Sequence, residues 1–312
     1  MSLEEFEKAV QLAVLEGWKD NGTVYVEHVR KNNNLVLSAL HIYEENDKTV
    51  PIVYLQDYYE EYCRGRSFEN IIQDIRLFYE EAYGNVPCNM LDYTDFNEVK
   101  QHVIYRIVSY PKNREILKDC PHIVMHDLAV TFRCFIFQDE EAIASSLIKN
   151  DHLKIWGVTD SELLFYANEN TPKFFPPFVM KLEEFLENIG LLDCIDSRDP
   201  LDIYIVSNSQ KVNGASVILY EDILKDFGDW CKSDYFILPS SIHEVLFLPI
   251  VFPKNLELYG DKSLKREYVH NMASETLTGM VKEINMTVVG EEEFLSDSVY
   301  YYCREDNKLE LA

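Results

Sequence analysis

The sequence has few of the residues that interrupt regular structure, with only 11 glycines and 11 prolines in 312 residues. It also lacks internal repeats and low-complexity segments. Hydrophobic residues make up 47% of the chain and aromatic residues 13%, which argues against disorder. A chain of this length can bury a large core, either as one large domain or as two of ordinary size.

Long apolar runs are missing as well. The best candidate, residues 242–252, is interrupted by His243, Glu244 and Pro249, and it falls short of the roughly 20 residues that span a bilayer. The first eight residues are acidic and amphipathic, unlike a signal peptide. We therefore expect a cytoplasmic protein that makes no contact with a membrane.

Cysteine pairs of the Cys-x-x-Cys type do not occur. The chain has seven cysteines, an odd number at wide spacings: Cys63, Cys88, Cys120, Cys134, Cys194, Cys231 and Cys303. This usage is typical of a reducing compartment in which thiols stay free.

Positive charge is scarce, because 29 basic residues stand against 54 acidic ones and give a net charge of −25. This argues against direct binding to a nucleic-acid backbone or an anionic membrane, since both need a positive surface. The acidity has two interpretations, a solvated surface or a decoy that occupies a basic partner's site. A decoy should cluster its charge, whereas the densest acidic runs, 139–141 and 291–293, are three residues long.

Helical and strand-like segments alternate irregularly along the chain. Ser2 and Glu5 form a capping-box pattern, and the asparagines at 32–34 predict a hairpin turn. This arrangement predicts an α+β fold, with mixed or mainly antiparallel sheets packed against helices. A linker at 190–200 would divide an N-terminal region, 1–190, from a C-terminal region, 191–312, unless both belong to one continuous domain.

Apolar spacing predicts several helices in this fold. One covers residues 67–83, with Ile71, Ile72, Ile75, Phe78 and Tyr79 facing inward. A second ends at Asn170, before a proline-rich segment, and further helices cover 178–189 and 263–284.

The segment 235–249 holds polar residues where its flanks predict burial. Two strand-like apolar runs bracket Pro239, Ser240, Ser241, His243 and Glu244, and local conflicts of this kind occur mostly at functional or strained sites. The turn 208–214 is polar and too long for a tight hairpin, so it could border a pocket. The candidate binding residues are Ser240, Ser241, His243, Glu244, Asn208 and Asn213.

A serine nucleophile needs a base within hydrogen-bond reach and a third group that orients the base. If residues 242–248 form a strand, Ser241 and His243 share one face and Glu244 points away. A distant acid such as Asp222 or Asp234 would then have to orient His243. The chain lacks Gly-x-Ser-x-Gly, and the alternative interpretation is a strand entry in which the serines satisfy turn amides.

His122 and His126 are the candidate metal ligands, with Cys120 and Asp127 close by in sequence. A structural zinc site takes four ligands in recurring pairs, and no second pair is visible, so no metal is expected. Position 247 holds Phe247 instead of the second histidine of a zinc-protease helix. Glycine-rich phosphate loops and EF-hand loops are also missing, so no cofactor is expected.

Several motifs spread over nearly the whole chain resemble an uncharacterised family, a domain of unknown function in gut clostridia. They are Asn113 with Leu117; His126-Asp-Leu-Ala129; His152-Leu-Lys-Ile-Trp-Gly157; Tyr204 to Asn208; Asn213-Gly-Ala215; Leu238-Pro-Ser-Ser-Ile-His-Glu244; and Leu295-Ser-Asp297. More remotely, the order of these motifs is similar to another uncharacterised bacillus protein group. The resemblance implies an intracellular bacterial protein carried on mobile elements, and it brings no reaction, ligand or catalytic residue.

Three hypotheses for function follow. The first is a non-enzymatic cytosolic protein that binds a protein or a small ligand, because no complete catalytic or cofactor constellation is present. The second is a hydrolase that uses Ser241 and His243. The third is an acidic decoy or inhibitor of a basic nucleic-acid-binding partner.

Overall fold

The computed structural model describes residues 1–17, 23–43, 51–84, 92–138, 143–188, 190, 202–254, 256 and 261–312. They fall into two compact units, Met1–Met90 and Leu91–Ala312. The α+β prediction is confirmed, since helices accompany antiparallel sheets in both units. The predicted division at residue 190 stays a prediction, and all of the predicted linker except Gly190 lies outside the described residues.

The first unit packs three helices against a three-stranded antiparallel sheet of order β1-β2-β3. Its elements are α1 (Leu3–Gly17), β1 (Thr23–Arg30), β2 (Val36–Tyr43), β3 (Ile52–Tyr54), α2 (Leu55–Cys63) and α3 (Phe68–Gly84). The capping box is confirmed, because the Glu5 N–H donates to Ser2 Oγ at 3.3 Å and the Ser2 N–H donates to Glu5 Oε2 at 2.8 Å.

The hairpin prediction is also confirmed, since Asn33 and Asn34 adopt left-handed φ values of 58° and 66° between β1 and β2. The inward orientation of Phe78 is wrong, because this side chain is 42% exposed whereas Ile75 and Tyr79 of the same helix are fully buried. At 100° per residue, Phe78 lies at the edge of the buried stripe of α3.

The second unit contains two antiparallel sheets. The first has the order β4-β6-β5, with β7 also paired to β6. Its strands and the accompanying helices are α4 (Phe96–Val99), β4 (Val103–Ser109), α5 (Arg114–Leu117), β5 (His122–Met125), β6 (Leu128–Gln138), β7 (Ile143–Leu147), α6 (Asn150–Trp156) and α7 (Asp160–Phe174).

The second sheet of this unit has six strands in the order β13-β12-β10-β11-β9-β8. Its elements are β8 (Pro177–Lys181), α8 (Leu182–Asn188), β9 (Tyr204–Asn208), α9 (Ile223–Cys231), β10 (Tyr235–Leu238), β11 (Val245–Pro249), α10 (Lys262–Met272), α11 (Thr278–Thr287), β12 (Tyr300–Cys303) and β13 (Lys308–Leu311). A π-helical turn, Ala273–Leu277, joins α10 to α11. None of the described helices is long and apolar enough to cross a membrane.

Two predicted helix boundaries are wrong. Helix α7 continues through Pro172 to Phe174 instead of ending at Asn170. Pro172 lacks the N–H that would donate to the Asn168 carbonyl, but the helix closes after it, because the Phe175 N–H donates to the Thr171 carbonyl at 2.9 Å. Residues 177–181 form a strand rather than the start of a helix, because they pair with β9 along the edge of the six-stranded sheet.

Alternating side chains of β10 reach the two faces of the six-stranded sheet. Tyr235 and Ile237 pack into the large core of the second unit. Phe236 and Leu238 pack on the other face against α10 and α11. This second core includes side chains of β10, β11 and β12 together with Ile203, which precedes β9, and no side chain of β8 or β9.

A buried polar cluster joins the two sheets of the second unit. His126, in the turn between β5 and β6, has a left-handed φ of 55°. The next carboxylate, Asp127, accepts hydrogen bonds from the hydroxyls of Ser296 at 2.6 Å, Ser298 at 2.8 Å and Tyr300. One carboxylate therefore fixes the segment that leads into β12.

We expect Asp127→Ala to lower the free energy of unfolding by about 2–4 kcal/mol, because the buried hydroxyls of Ser296 and Tyr300 lose their charged acceptor. Urea unfolding of the full chain measures this change. Asp119→Ala, which removes an exposed aspartate of the same unit, is the control and should stay within about 0.5 kcal/mol of the wild type. Equal effects of the two substitutions would contradict a structural role for the cluster.

Candidate functional site

The predicted polar segment is the connection between β10 and β11. Leu238 ends β10 and Val245 begins β11, so residues 239–244 form a loop between two antiparallel partners. Ser241 makes a single bridge with Phe294 instead of belonging to a strand. The assumption that residues 242–248 form a strand is therefore wrong at its start, and the shared face inferred for Ser241 and His243 does not follow from strand alternation.

Backbone hydrogen bonds to residues 293–296 hold this loop in place. The Ile242 N–H donates to the Glu293 carbonyl at 2.8 Å. The Leu295 N–H donates to the Ser240 carbonyl, and the Ser296 N–H donates to the Pro239 carbonyl, both at 3.1 Å. Because Ser296 also binds Asp127, the loop is connected to the buried cluster between the sheets.

Ser241 is buried, and its hydroxyl accepts a hydrogen bond from the backbone N–H of His243 at 3.0 Å. This is the turn-stabilising bond expected of a serine at the entry to a strand. The serine oxygen is therefore engaged with the backbone of His243.

The His243 ring lies between a backbone amide and a carboxylate. Its Nδ1 accepts a hydrogen bond from the Asn213 N–H at 3.3 Å, and its Nε2 lies 3.5 Å from Glu293 Oε1. Because a backbone amide can only donate, Nδ1 carries no proton and Nε2 carries it. The ring is fixed in one orientation, with its proton directed at Glu293.

The turn that contains Asn213 packs closely against the loop. Asn213 has a left-handed φ of 53°. Gly214 follows it, and a Cβ added there would lie 2.1 Å from Ser207 Oγ and 2.6 Å from the His243 carbonyl oxygen. That same carbonyl accepts a hydrogen bond from the Ser207 hydroxyl at 2.7 Å. The Asn-Gly sequence is thus required by backbone conformation and by lack of space.

Asn208 stabilises its own turn. Its side-chain amide donates to the Val212 carbonyl at 2.9 Å, and its Oδ1 accepts from the Gln210 N–H at 3.1 Å. Asn208 is buried, so its polar atoms serve the turn that carries Asn213 and Gly214.

Beside the loop, a cavity of about 340 Å³ opens on the face of the six-stranded sheet. We call it the sheet cavity; its lining residues are Phe178, Met180, Phe185, Ile205, Ser207, Lys211, Glu244 and Leu246. Met180, Ile205 and Leu246 form one row across β8, β9 and β11, since Ile205 pairs with both of the others. Leu246 packs against the cluster that α10 and α11 form with the sheet, whereas Met180 and Ile205 do not belong to that cluster.

Two charged residues stand in the wall of the sheet cavity. Burial raises the pKa of the Glu244 carboxyl, and the neighbouring His243 and a hydrogen bond with Ser241 lower it by less. The Lys211 Nζ lies 5.2 Å from the centre of the Phe178 ring, close enough for a cation–π contact. An apolar cavity with a few convergent polar groups is the usual form of a ligand site.

Residues 3–258 match a family of unknown function, DUF5688. The chain belongs to this family. The match includes every lining residue of the sheet cavity, whereas residues 293–296 lie beyond it. Neither the curated proteins nor the solved structures contain a match to the chain. The clostridial origin and the motif of the resemblance stay predictions.

The structure brings some of the predicted site residues together. Ser241, His243, Glu244 and Asn213 meet around the loop. His122 and His126 lie elsewhere: the His122 Nδ1 donates to the Cys120 carbonyl at 3.0 Å, and the His126 ring packs against Tyr300. Among the described residues no group of three or more histidines, cysteines or acids could hold a metal ion.

Sequence reasoning missed Ser207, Lys211 and Glu293. Ser207 belongs to the segment 204–208 of the resemblance, but no local pattern links it to His243, which lies 36 residues away. In the sequence, Glu293 belongs to a short acidic run. Only the pairing of residues 293–296 with the loop makes its position evident.

Replacing Gly214 with alanine should lower the free energy of unfolding by about 1–3 kcal/mol, the usual range for overpacking, because backbone atoms block the new Cβ. Gly279→Ala is the control, since no atom lies within 4 Å of a Cβ there, and it should raise stability by about 0.5–1 kcal/mol in its helix. Thermal unfolding of both variants tests whether Gly214→Ala lowers the stability and Gly279→Ala raises it. A neutral Gly214→Ala would show that the turn can move away.

Glu244→Gln should change the pH dependence of stability. Since the folded carboxyl has a raised pKa, it binds its proton more tightly than the unfolded chain does, and the wild type loses this contribution as pH rises through the folded pKa. The variant should therefore gain stability relative to the wild type as pH rises above about 4, by less than about 1 kcal/mol because solvent partly screens the group. Urea unfolding at several pH values measures the difference.

Glu187→Gln, at an exposed position of α8, serves as the control for Glu244→Gln. The difference in the free energy of unfolding between this variant and the wild type should stay constant over the same pH range. A constant difference for Glu244→Gln as well would argue against a buried, protonation-sensitive carboxyl in the sheet cavity.

Proposed function

We propose that this protein is a non-enzymatic binding protein that holds a small ligand in the sheet cavity. The cavity itself is the observation that carries the proposal: about 340 Å³ of space bounded by the apolar side chains of β8, β9, β11 and α8. This volume lies at the small end of the roughly 300–1,000 Å³ found for ligand pockets. The ligand would bury an apolar body against Met180, Ile205 and Leu246.

The polar residues of the wall define the other end of the ligand. Lys211 offers a cation and Glu244 a carboxyl group, while the Ser207 hydroxyl is already engaged with the His243 carbonyl. A ligand end that both accepts and donates hydrogen bonds, such as a zwitterion or an amide, would satisfy both charged groups. Burying either of them without a partner would cost binding free energy.

The hydrolase alternative, with Ser241 and His243, stays a hypothesis, and the geometry favours binding over it. A serine nucleophile needs a ring nitrogen of the base within reach of its hydroxyl. Here the Ser241 oxygen bonds the backbone of His243, and the ring Nδ1 bonds Asn213. The acidic-decoy hypothesis also stays a prediction.

Nile red, a neutral dye that fluoresces in apolar surroundings, tests the cavity in the full chain. Met180→Trp fills the cavity and should weaken dye binding roughly tenfold, equivalent to about 1.4 kcal/mol. Val179→Trp places the same side chain on the opposite face of β8, where Val179 is 44% exposed, and should leave dye affinity within about twofold of the wild type.

Circular dichroism and thermal unfolding establish that both tryptophan variants keep the fold. Equal dye affinity for Met180→Trp and the wild type would contradict ligand binding in the sheet cavity. So would an equal loss in both variants, because the dye would then report general apolar surface.

A further inference from the structure

A second and larger cavity, of about 650 Å³, lies where the end of α9, the end of β11, the start of α10 and the β12–β13 turn come together. We call it the basic cleft, because five lysines and arginines line it: Lys232, Lys262, Lys265, Arg266 and Arg304. The whole chain has only 29 such residues against 54 acidic ones. The basic cleft therefore gathers five of the 29 basic residues of an acidic protein.

Four acidic residues also line the cleft, and cations or hydrogen-bond donors of the cleft engage each of them. Asp229 accepts from the Arg304 side chain at 2.9 Å. Asp306 pairs with Lys262 at 2.7 Å, and the same lysine lies 3.5 Å from Glu305.

Asp234, the fourth acid, forms part of the floor. It accepts the backbone N–H of Arg304 at 2.9 Å and the hydroxyl of buried Tyr301. Burial raises the pKa of Tyr301, so its hydroxyl stays protonated and continues to donate. Cations of the cleft thus pair with Asp229, Glu305 and Asp306, whereas Asp234 is hydrogen-bonded to neutral donors.

Two of the lysines differ from the other cations. Within the described part of the chain, Lys232 and Lys265 form no ion pair, whereas Lys262, Arg266 and Arg304 each do. Lys265 is half-buried, and its Nζ lies 5.4 Å from the centre of the Phe252 ring in the cleft wall. Two uncompensated ammonium groups and an aromatic ring therefore face one concave space.

We propose that the basic cleft binds a small phosphorylated ligand whose organic group lies against Phe252. A phosphate or diphosphate would be a negatively charged partner for Lys232 and Lys265, which would bind it through charge-assisted hydrogen bonds. The aromatic ring would take the apolar part of the ligand. This site shares no lining residue with the sheet cavity, so the two proposals succeed or fail separately.

Isothermal titration calorimetry of the full chain with ADP, pyrophosphate and adenosine tests the basic cleft. ADP should bind most tightly, pyrophosphate more weakly, and adenosine without detectable heat at millimolar concentration. Lys265→Gln and Lys232→Gln should each weaken ADP binding roughly tenfold, since each substitution removes a charge-assisted hydrogen bond to the phosphates. Both side chains reach solvent, so neither substitution should disturb folding.

Lys154→Gln is the matched control, because Lys154 is an exposed lysine of the same unit that pairs with Asp151. It should bind ADP as the wild type does. The proposal is overturned if ADP and pyrophosphate give no heat, or if adenosine binds as tightly as ADP. It is also overturned if Lys265→Gln binds ADP unchanged or if Lys154→Gln loses as much affinity, since the interaction would then be non-specific.

Discussion

Unequal covering of the six-stranded sheet is the constraint on which both proposed sites depend. One face packs into the main core of the second unit along β10, β11 and β12. On the other face, α10 and α11 contact Phe236, Leu238 and Tyr301. Two helices joined end to end cover a limited width of sheet, because each is about 10 Å across and neighbouring strands are about 4.8 Å apart. The sheet cavity and the basic cleft lie at the margins of that cover.

The loop between β10 and β11 is rigid because its polar atoms are bound to backbone partners. Ser241, His243 and the loop carbonyls bond with residues 293–296, with Asn213 and with Ser207. Buried polar groups cost free energy unless they are paired, so this network fixes one conformation. A fixed loop keeps Glu244 at the wall of the sheet cavity, and this pre-organisation lowers the entropy that a ligand would otherwise lose there.

Local patterns predicted the parts of the fold that depend on neighbouring residues. The capping box at Ser2, the asparagine turn before β2 and the α+β class follow from short-range chemistry. Strand β8 could not be predicted this way. Only its pairing with β9 shows that Phe178 and Met180 belong to one face of a strand. The same holds for the site: the sequence pointed to residues 240–244, but Glu293 and Lys211 reach it through pairings and turns distant in the chain.

The net charge of the protein and the charges inside the cleft act on an approaching anion at different distances. A charge of −25 acts on an approaching anion from a distance, and salt screens this repulsion beyond a Debye length of about 8 Å at physiological ionic strength. Inside the basic cleft, Lys232 and Lys265 act over contact distances, where screening is weaker. Long polyanions such as nucleic acids must meet the whole acidic surface, whereas a small anion meets only the cleft lining. The proposed binding of a small phosphorylated molecule is therefore compatible with the acidity of the whole chain.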